Sequence, residues 1–190
     1  MDVTPFVGEP LALDLVNTRP RVSIDVVDLI ADGDGLRGWV ELEKERLDGI
    51  TPAELASISA EELGQVHSVR ENLATALDRL MHGLAVPAAA IAGLNAAMRA
   101  APAIHRLDWE DPPVVTRQRE GSAAARLATV LAEDAAALLA GAERQQIRKC
   151  GAEDCVMLFV GTNARRRWCS ATRCGNRMRV SRYYQRNKSP

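Results

Sequence analysis

Cys150-Gly-Ala-Glu-Asp-Cys155 and Cys169-Ser-Ala-Thr-Arg-Cys174 hold all four cysteines of the chain, in the order C-x4-C-x13-C-x4-C. Two equally spaced thiol pairs are a metal signal. A tetrahedral ion such as zinc takes four soft or borderline ligands, and two short loops giving two thiolates each supply them with little chain. No histidine lies nearby, and a fourth cysteine leaves no open position for water or substrate. The pattern therefore predicts one closed, structural Zn2+ on Cys150, Cys155, Cys169 and Cys174 rather than a catalytic ion. Iron is the other ion that four thiolates hold. Disulfides would be the reading for a secreted mini-domain, but Met1-Asp2-Val3-Thr4-Pro5 lacks the cationic and then apolar run of an export signal. A cytoplasmic protein with reduced thiols is expected. No run approaches the roughly 18 apolar residues of a membrane span.

Working outward from the cysteines, residues 144–190 carry 12 of the 24 cations and only Glu153 and Asp154 of the 25 carboxylates. This tail is therefore +10 against −11 for residues 1–143, two opposite halves hidden in an overall charge of −1. A concentrated cationic face suits a polyanion backbone, which rewards it through counterion release. The same charges could instead form a solvated face, or pack the tail on its own acidic body. So short a segment lies near the size at which a metal has to supply the fold, whereas a body of roughly 140 residues buries a core unaided.

The body reads as mainly helical. Leucines alternate at 11, 13 and 15, which suits a strand with one buried face or a short helix. Val22 to Ile30 and Leu36 to Leu47 read as helices separated by the turn Asp32-Gly33-Asp34-Gly35, with Trp39 anchoring the second. Thr51-Pro52-Ala53-Glu54 and Ser59-Ala60-Glu61-Glu62 are helix starts. The longest helix is expected at about 60–84, its buried stripe being Leu63, Val66, Val69, Leu73, Leu77 and Leu80. Pro87 opens another that reaches Ala100, with Ile91, Leu94 and Met98 inward. Residues 103–118 look like a hairpin around Asp111-Pro112-Pro113. Ser122 to Ala140 is a high-propensity helix ending at Gly141, with Arg126, Glu133 and Asp134 on its wet side. It leads into the tail without a flexible linker, so the metal module is expected to be held against the body. A last helix spans about 175–187, with Arg179, Arg182 and Arg186 on one arc and Val180, Tyr183 and Tyr184 on a neighbouring apolar arc that can dock. The fold class is thus mainly α (α+β), a helical domain 1–143 with a small hairpin and a four-cysteine module 144–190 ending in a helix.

Cys150 to Cys155, Leu158-Phe159, Arg165-Arg166-Arg167-Trp168-Cys169-Ser170 and Cys174-Gly175-Asn176-Arg177 together resemble the CGNR zinc finger family. Leu11-Ala12-Leu13-Asp14-Leu15-Val16-Asn17-Thr18 resembles the opening of the ABATE domain, which precedes this finger in bacterial proteins described as stress-induced transcription regulators. The resemblance covers essentially the whole chain and implies zinc on the four cysteines and DNA binding through basic residues. Relatives often place an acidic residue after the Leu-Phe pair. This chain has Val160-Gly161-Thr162 there, so the acid-to-arginine brace that such a residue would give the finger is not expected from that position.

The candidate nucleic-acid contacts are Arg165, Arg166, Arg167, Arg173, Arg177, Arg179, Arg182, Arg186 and Lys188. Trp168 is either the core plug of the small module or a stacking platform for an unpaired base. Gly175 reads as a backbone turn or close approach beside a ligand, and Asn176 as a cap. In the body, Asp14, Asn17 and Thr18 form a polar cluster that serves turn and cap chemistry or lines a small-molecule pocket. His67, His82 and His105 are scattered, and no Ser-His-Asp, phosphate-loop or redox C-x-x-C pattern appears, so no enzyme is expected. The expectation is a DNA-binding transcription regulator whose acidic body senses a small-molecule effector or pairs as a homodimer. Its rivals are an RNA- or single-strand-binding protein and a protein-interaction module without nucleic acid.

Overall fold

A computed structural model describes residues 4–22, 24–47 and 49–187. Its centre is α5 (Ala123–Ala140), which packs against α1 (Leu11–Val16), α3 (Ala60–Met81) and α4 (Ala88–Ala100). Ser122 starts α5 by accepting from the Ala125 amide at 3.2 Å, and Gly141 ends it. Leu127, Leu131 and Leu138 bury its apolar face among small alanines that let the neighbours approach. Removing each leucine from water contributes about 1.5–3 kcal/mol. The α3 start is a reciprocal box in which Ser59 and Glu62 satisfy each other's backbone amides. Of its expected stripe, Leu63 through Leu77 are buried, while Leu80 is 38% exposed.

Residues 11–16 form a short helix rather than a strand. The alternating leucines mislead because the segment is enclosed on every side: Ala12 and Asp14 are as buried as Leu13 and Leu15. Pro10 caps nothing with a side chain, and the Ala12 amide donates instead to Asp134 of α5 at 2.7 Å, so Asp134 serves the helix start and not only the wet side. The helix expected at 22–30 is also absent. Arg21–Val22 (β1) and Asp25–Val26 (β2) pair as a minimal hairpin, and Ile24 is 89% exposed. Its apolar residues stand on a loop held by the Asp28 carboxylate, which Arg70 grips at 2.6 and 2.7 Å.

Asp32-Gly33-Asp34-Gly35 is the first turn of α2 (Gly33–Glu43), capped by Asp32, and Trp39 is buried as expected. Pro52–Leu55 makes only a single 3-10 turn. In α4, Leu94 is buried and Met98 packs on the core, but Ile91 is 39% exposed. The hairpin is present as β3 (Ala103–Asp108) and β4 (Val114–Arg119), antiparallel. After a 3-10 segment, β5 (Ile147–Lys149) and β6 (Leu158–Val160) pair antiparallel. Ile147, Leu158 and Val160 belong to the core built by α1, α3 and α5. The cysteine segment therefore grows out of the body's own core. It ends in α6 (Asn176–Asn187), in which no described residue is buried. The expected docking arc does not dock: Val180, Tyr183 and Tyr184 are 53%, 60% and 61% exposed.

Candidate metal centre and cationic surface

Cys150 follows β5, Cys155 closes the loop that follows, Cys169 sits before the single π turn Ala171–Gly175, and Cys174 lies within that turn. The four Sγ atoms lie within 4.8 Å of one another. Cys155 and Cys169 sulfurs are 3.9 Å apart, close to the edge of about 3.8 Å that a tetrahedron with Zn–S bonds of about 2.3 Å requires. All four thiols are free. Three are buried and Cys155 is half-buried, in a shell that includes Ala152, Met157 and Phe159. As bare thiols they compete for protons. The hydrogen bond from Cys169 pulls Cys155 down to about 5, and the same contact with burial drives Cys169 far up. Burial pushes Cys174 up to about 11. A dication among them replaces the protons and holds both loops at once. The donor set fits one structural zinc ion, with no position left open for substrate.

Trp168 plugs the space between the two loops. A Cβ on Gly151 would meet its ring at 3.3 Å and one on Gly175 at 3.5 Å, so the glycines after Cys150 and Cys174 are seats for the indole. The loop fold is fixed locally as well. Ser170 accepts from the Arg173 amide at 2.9 Å, and the Gly175 amide donates to the Ser170 carbonyl at 3.0 Å. These bonds close the turn from which α6 propagates.

A family model named ABATE and described as "Putative stress-induced transcription regulator" matches residues 9–142, more than half of the chain. The chain belongs to the ABATE family. A second model, the CGNR zinc finger, follows it over residues 146–187. No curated protein matches the chain.

Within the CGNR finger the arginines divide sharply. Arg166 is enclosed by its own protein. It donates to the carbonyls of Val160 and Trp168 at 3.3 Å and to that of Cys169, pairs with Glu9, and lies 4.5 Å over the Phe159 ring. Arg177 pairs with Asp154 and donates to the Cys174 sulfur at 3.5 Å, which holds its own pKa up. Arg173 donates to the Thr4 carbonyl. By contrast, Arg165, Arg167, Arg179, Arg182 and Arg186 are exposed, with no carboxylate partner among the described residues. Arg167 and Arg182 flank Trp168 at 5.3 and 5.5 Å. Trp168, Gly175, Arg179, Arg182 and Arg186 line a cleft of about 230 Å3. Lys188 lies outside the described residues.

The body residues Asp14, Asn17 and Thr18 are buried, and their polar atoms are taken up by backbone groups and by Arg46 and Arg70. Asn17 bridges both groups of Leu158, accepting from its amide at 2.8 Å and donating to its carbonyl at 2.9 Å. It behaves as an extra strand residue beside β6. Thr18 donates to the Leu15 carbonyl at 2.7 Å. Asp14 accepts from the Gly8 and Glu9 amides and from Arg46, while burial pushes it up to about 7. That grip holds Glu9, whose other oxygen accepts from the Val160 amide at 2.8 Å. Sequence reasoning missed Glu9. The one pointer was the missing acid after Phe159, and the body supplies it from 157 residues away.

Proposed function

We propose that the protein is a DNA-binding transcription regulator. Residues 144–190 form a zinc-stabilised basic module that contacts phosphates, and residues 1–143 form the acidic domain that governs it. The observation that carries this reading is α6, a helix with no buried residue whose Arg179, Arg182 and Arg186 share an open cleft with Trp168. Apart from its first turn, where Met178 packs on the cysteine cluster, this helix stands in water, and a cationic helix surface left exposed by an otherwise acidic protein suits a polyanion. Arg165 and Arg167 extend the surface, while Arg166, Arg173 and Arg177 are engaged by contacts within the protein. The chemistry is binding, not turnover.

The test is an affinity titration of zinc-loaded protein on duplex DNA against salt. Five phosphate contacts give a log–log slope of about −4.5, and Arg182→Ala flattens it by about 1. A flat salt response overturns the reading. Single strands of DNA and RNA in the same assay test the role of Trp168, whose ring borders the cleft. Preference for either at equal salt would move the reading to unpaired bases stacked on that indole.

A further inference from the structure

The apolar stripe of α3 runs past the point where the body covers it. Leu77 is buried, but the next member, Leu80, is 38% exposed, and Met81 is 39% exposed. Together with Ile147 of β5 they form the apolar wall of a groove of about 510 Å3, and Arg144, Arg148 and Lys149 form its rim. Arg144 spends one nitrogen on the Leu139 carbonyl at 3.0 Å. None of the three cations stands in an ion pair among the described residues, and no carboxylate lines the groove. The volume lies in the range of small-molecule sites.

We propose that this groove is an effector site for an aliphatic chain bearing an anionic headgroup, of which a medium-chain fatty acid is the simplest member. A bare anion or a nucleic-acid phosphate would satisfy the rim and leave Leu80 and Met81 in water. A neutral apolar ligand would cover the wall and leave the cations of the rim unmatched. Only an amphiphilic anion answers both sides. The site's position gives it a consequence: α3 belongs to the ABATE body, and β5 runs from Ile147 directly into the ligand Cys150. An occupant touching both stabilises the packing of the strand that enters the metal centre against α3. The proposal does not rest on the nucleic-acid reading.

Calorimetry of the full zinc-loaded chain with decanoate, held below its micelle concentration, tests it. The expected result is saturable one-to-one binding that weakens about fourfold for each methylene removed, and at least tenfold for decanol. Decyl phosphate in a parallel arm tells which headgroup is preferred, and binding of either acid supports the site. Arg148→Glu with Lys149→Glu lowers affinity at least tenfold. Leu80→Ser with Met81→Ser, on the exposed helix surface, abolishes the chain-length dependence. Zinc content and far-UV circular dichroism verify both variants, and if the first pair loses zinc the second pair decides alone. No saturable binding, equal binding of decanol, equal binding of inorganic phosphate, or indifference to the helix-surface variants overturns the proposal. So does binding of an acidic amphipathic peptide in place of the small amphiphiles.

Discussion

The central helix α5 and the C-terminal helix α6 are helices for opposite reasons. Eight residues of α5 are buried, and it exists because leucines and alanines leave water on three sides. No described residue of α6 is buried. Its 12 residues are near the length at which an isolated helix is marginal, so its first turn must be set by something else. The cysteine knuckle does this: Cys174 fixes the turn Ala171–Gly175, Ser170 caps it, and the helix runs on into solvent. One helix is held by its flank, the other by its root. The difference leaves α6 beyond its first turn, where Met178 packs on the cysteine cluster and Arg177 is held by Asp154, open to a partner and makes it dependent on metal.

The largest way to break that comparison is to take the root away. Chelation, or Cys169→Ser, is expected to melt α6 and the loops while α3, α4 and α5 keep their helical signal. Zinc binding of about 10–16 kcal/mol in finger peptides is far more than a 12-residue helix can replace. Hydrogen exchange sharpens the boundary. The Leu158 amide, held by Asn17 inside the shared core, stays protected after chelation, whereas amides from Cys169 to Asn187 exchange freely. Loss of Leu158 protection would mean that β5 and β6 also depend on the ion.

Next in size is the seam between the regions. Asn17→Ala strands the amide and carbonyl of Leu158 in a buried site, at a cost of about 3 kcal/mol, read as a fall in midpoint denaturant concentration. Arg166→Ala leaves the nearly buried Glu9 without its cation and costs about 2 kcal/mol, discounted because the arginine is about one-third exposed. Arg165→Ala stays within about 0.5 kcal/mol. The triplet thus separates by readout: Arg165 and Arg167 change DNA affinity at constant stability, and Arg166 changes stability first. Equal stability losses for Arg165→Ala and Arg166→Ala would erase the distinction.

Those three arginines mark where sequence reading stops. Consecutive identical residues offer no periodic clue to which one turns inward, and the carboxylate that decides it is Glu9, at the other end of the chain. Helices α3 and α5 were legible because caps and leucine spacing agree with their packing. The cysteine cluster was legible because ligand spacing is itself the constraint. Residues 11–16 were ambiguous because burial on every side removes the contrast that periodicity measures. Residues 22–30 misled because Ile24 and Val26 are apolar yet wet. The polar cluster Asp14, Asn17 and Thr18 was visible as a cluster, but its partners Leu158 and Arg46 lie in other elements.

The smallest test concerns how the two regions meet acid. Finger thiolates must shed zinc to take up protons, so the root of α6 fails as soon as protons compete for sulfur. The body has a carboxylate built to fail much later. Arg126 of α5 donates to Glu54, and the Thr51 amide and hydroxyl add two further donors at 2.9 and 3.0 Å, so Glu54 is lowered from 4.5 to about 2. A folded-state pKa below the unfolded one contributes stability that is present above about 4.5 and lost as pH falls through about 2. The side chain is more than one-third exposed, so solvent screening keeps the effect small, but its sign is fixed. Glu54→Gln should lower the melting temperature at pH 6 and converge with the parent below pH 2. The α6 signal should already be gone at acidities where this gap is still open. Coincident acid transitions of α5 and α6 would show that the two helices share one fate, and that the root of α6 lies in the body's core rather than in its cysteines.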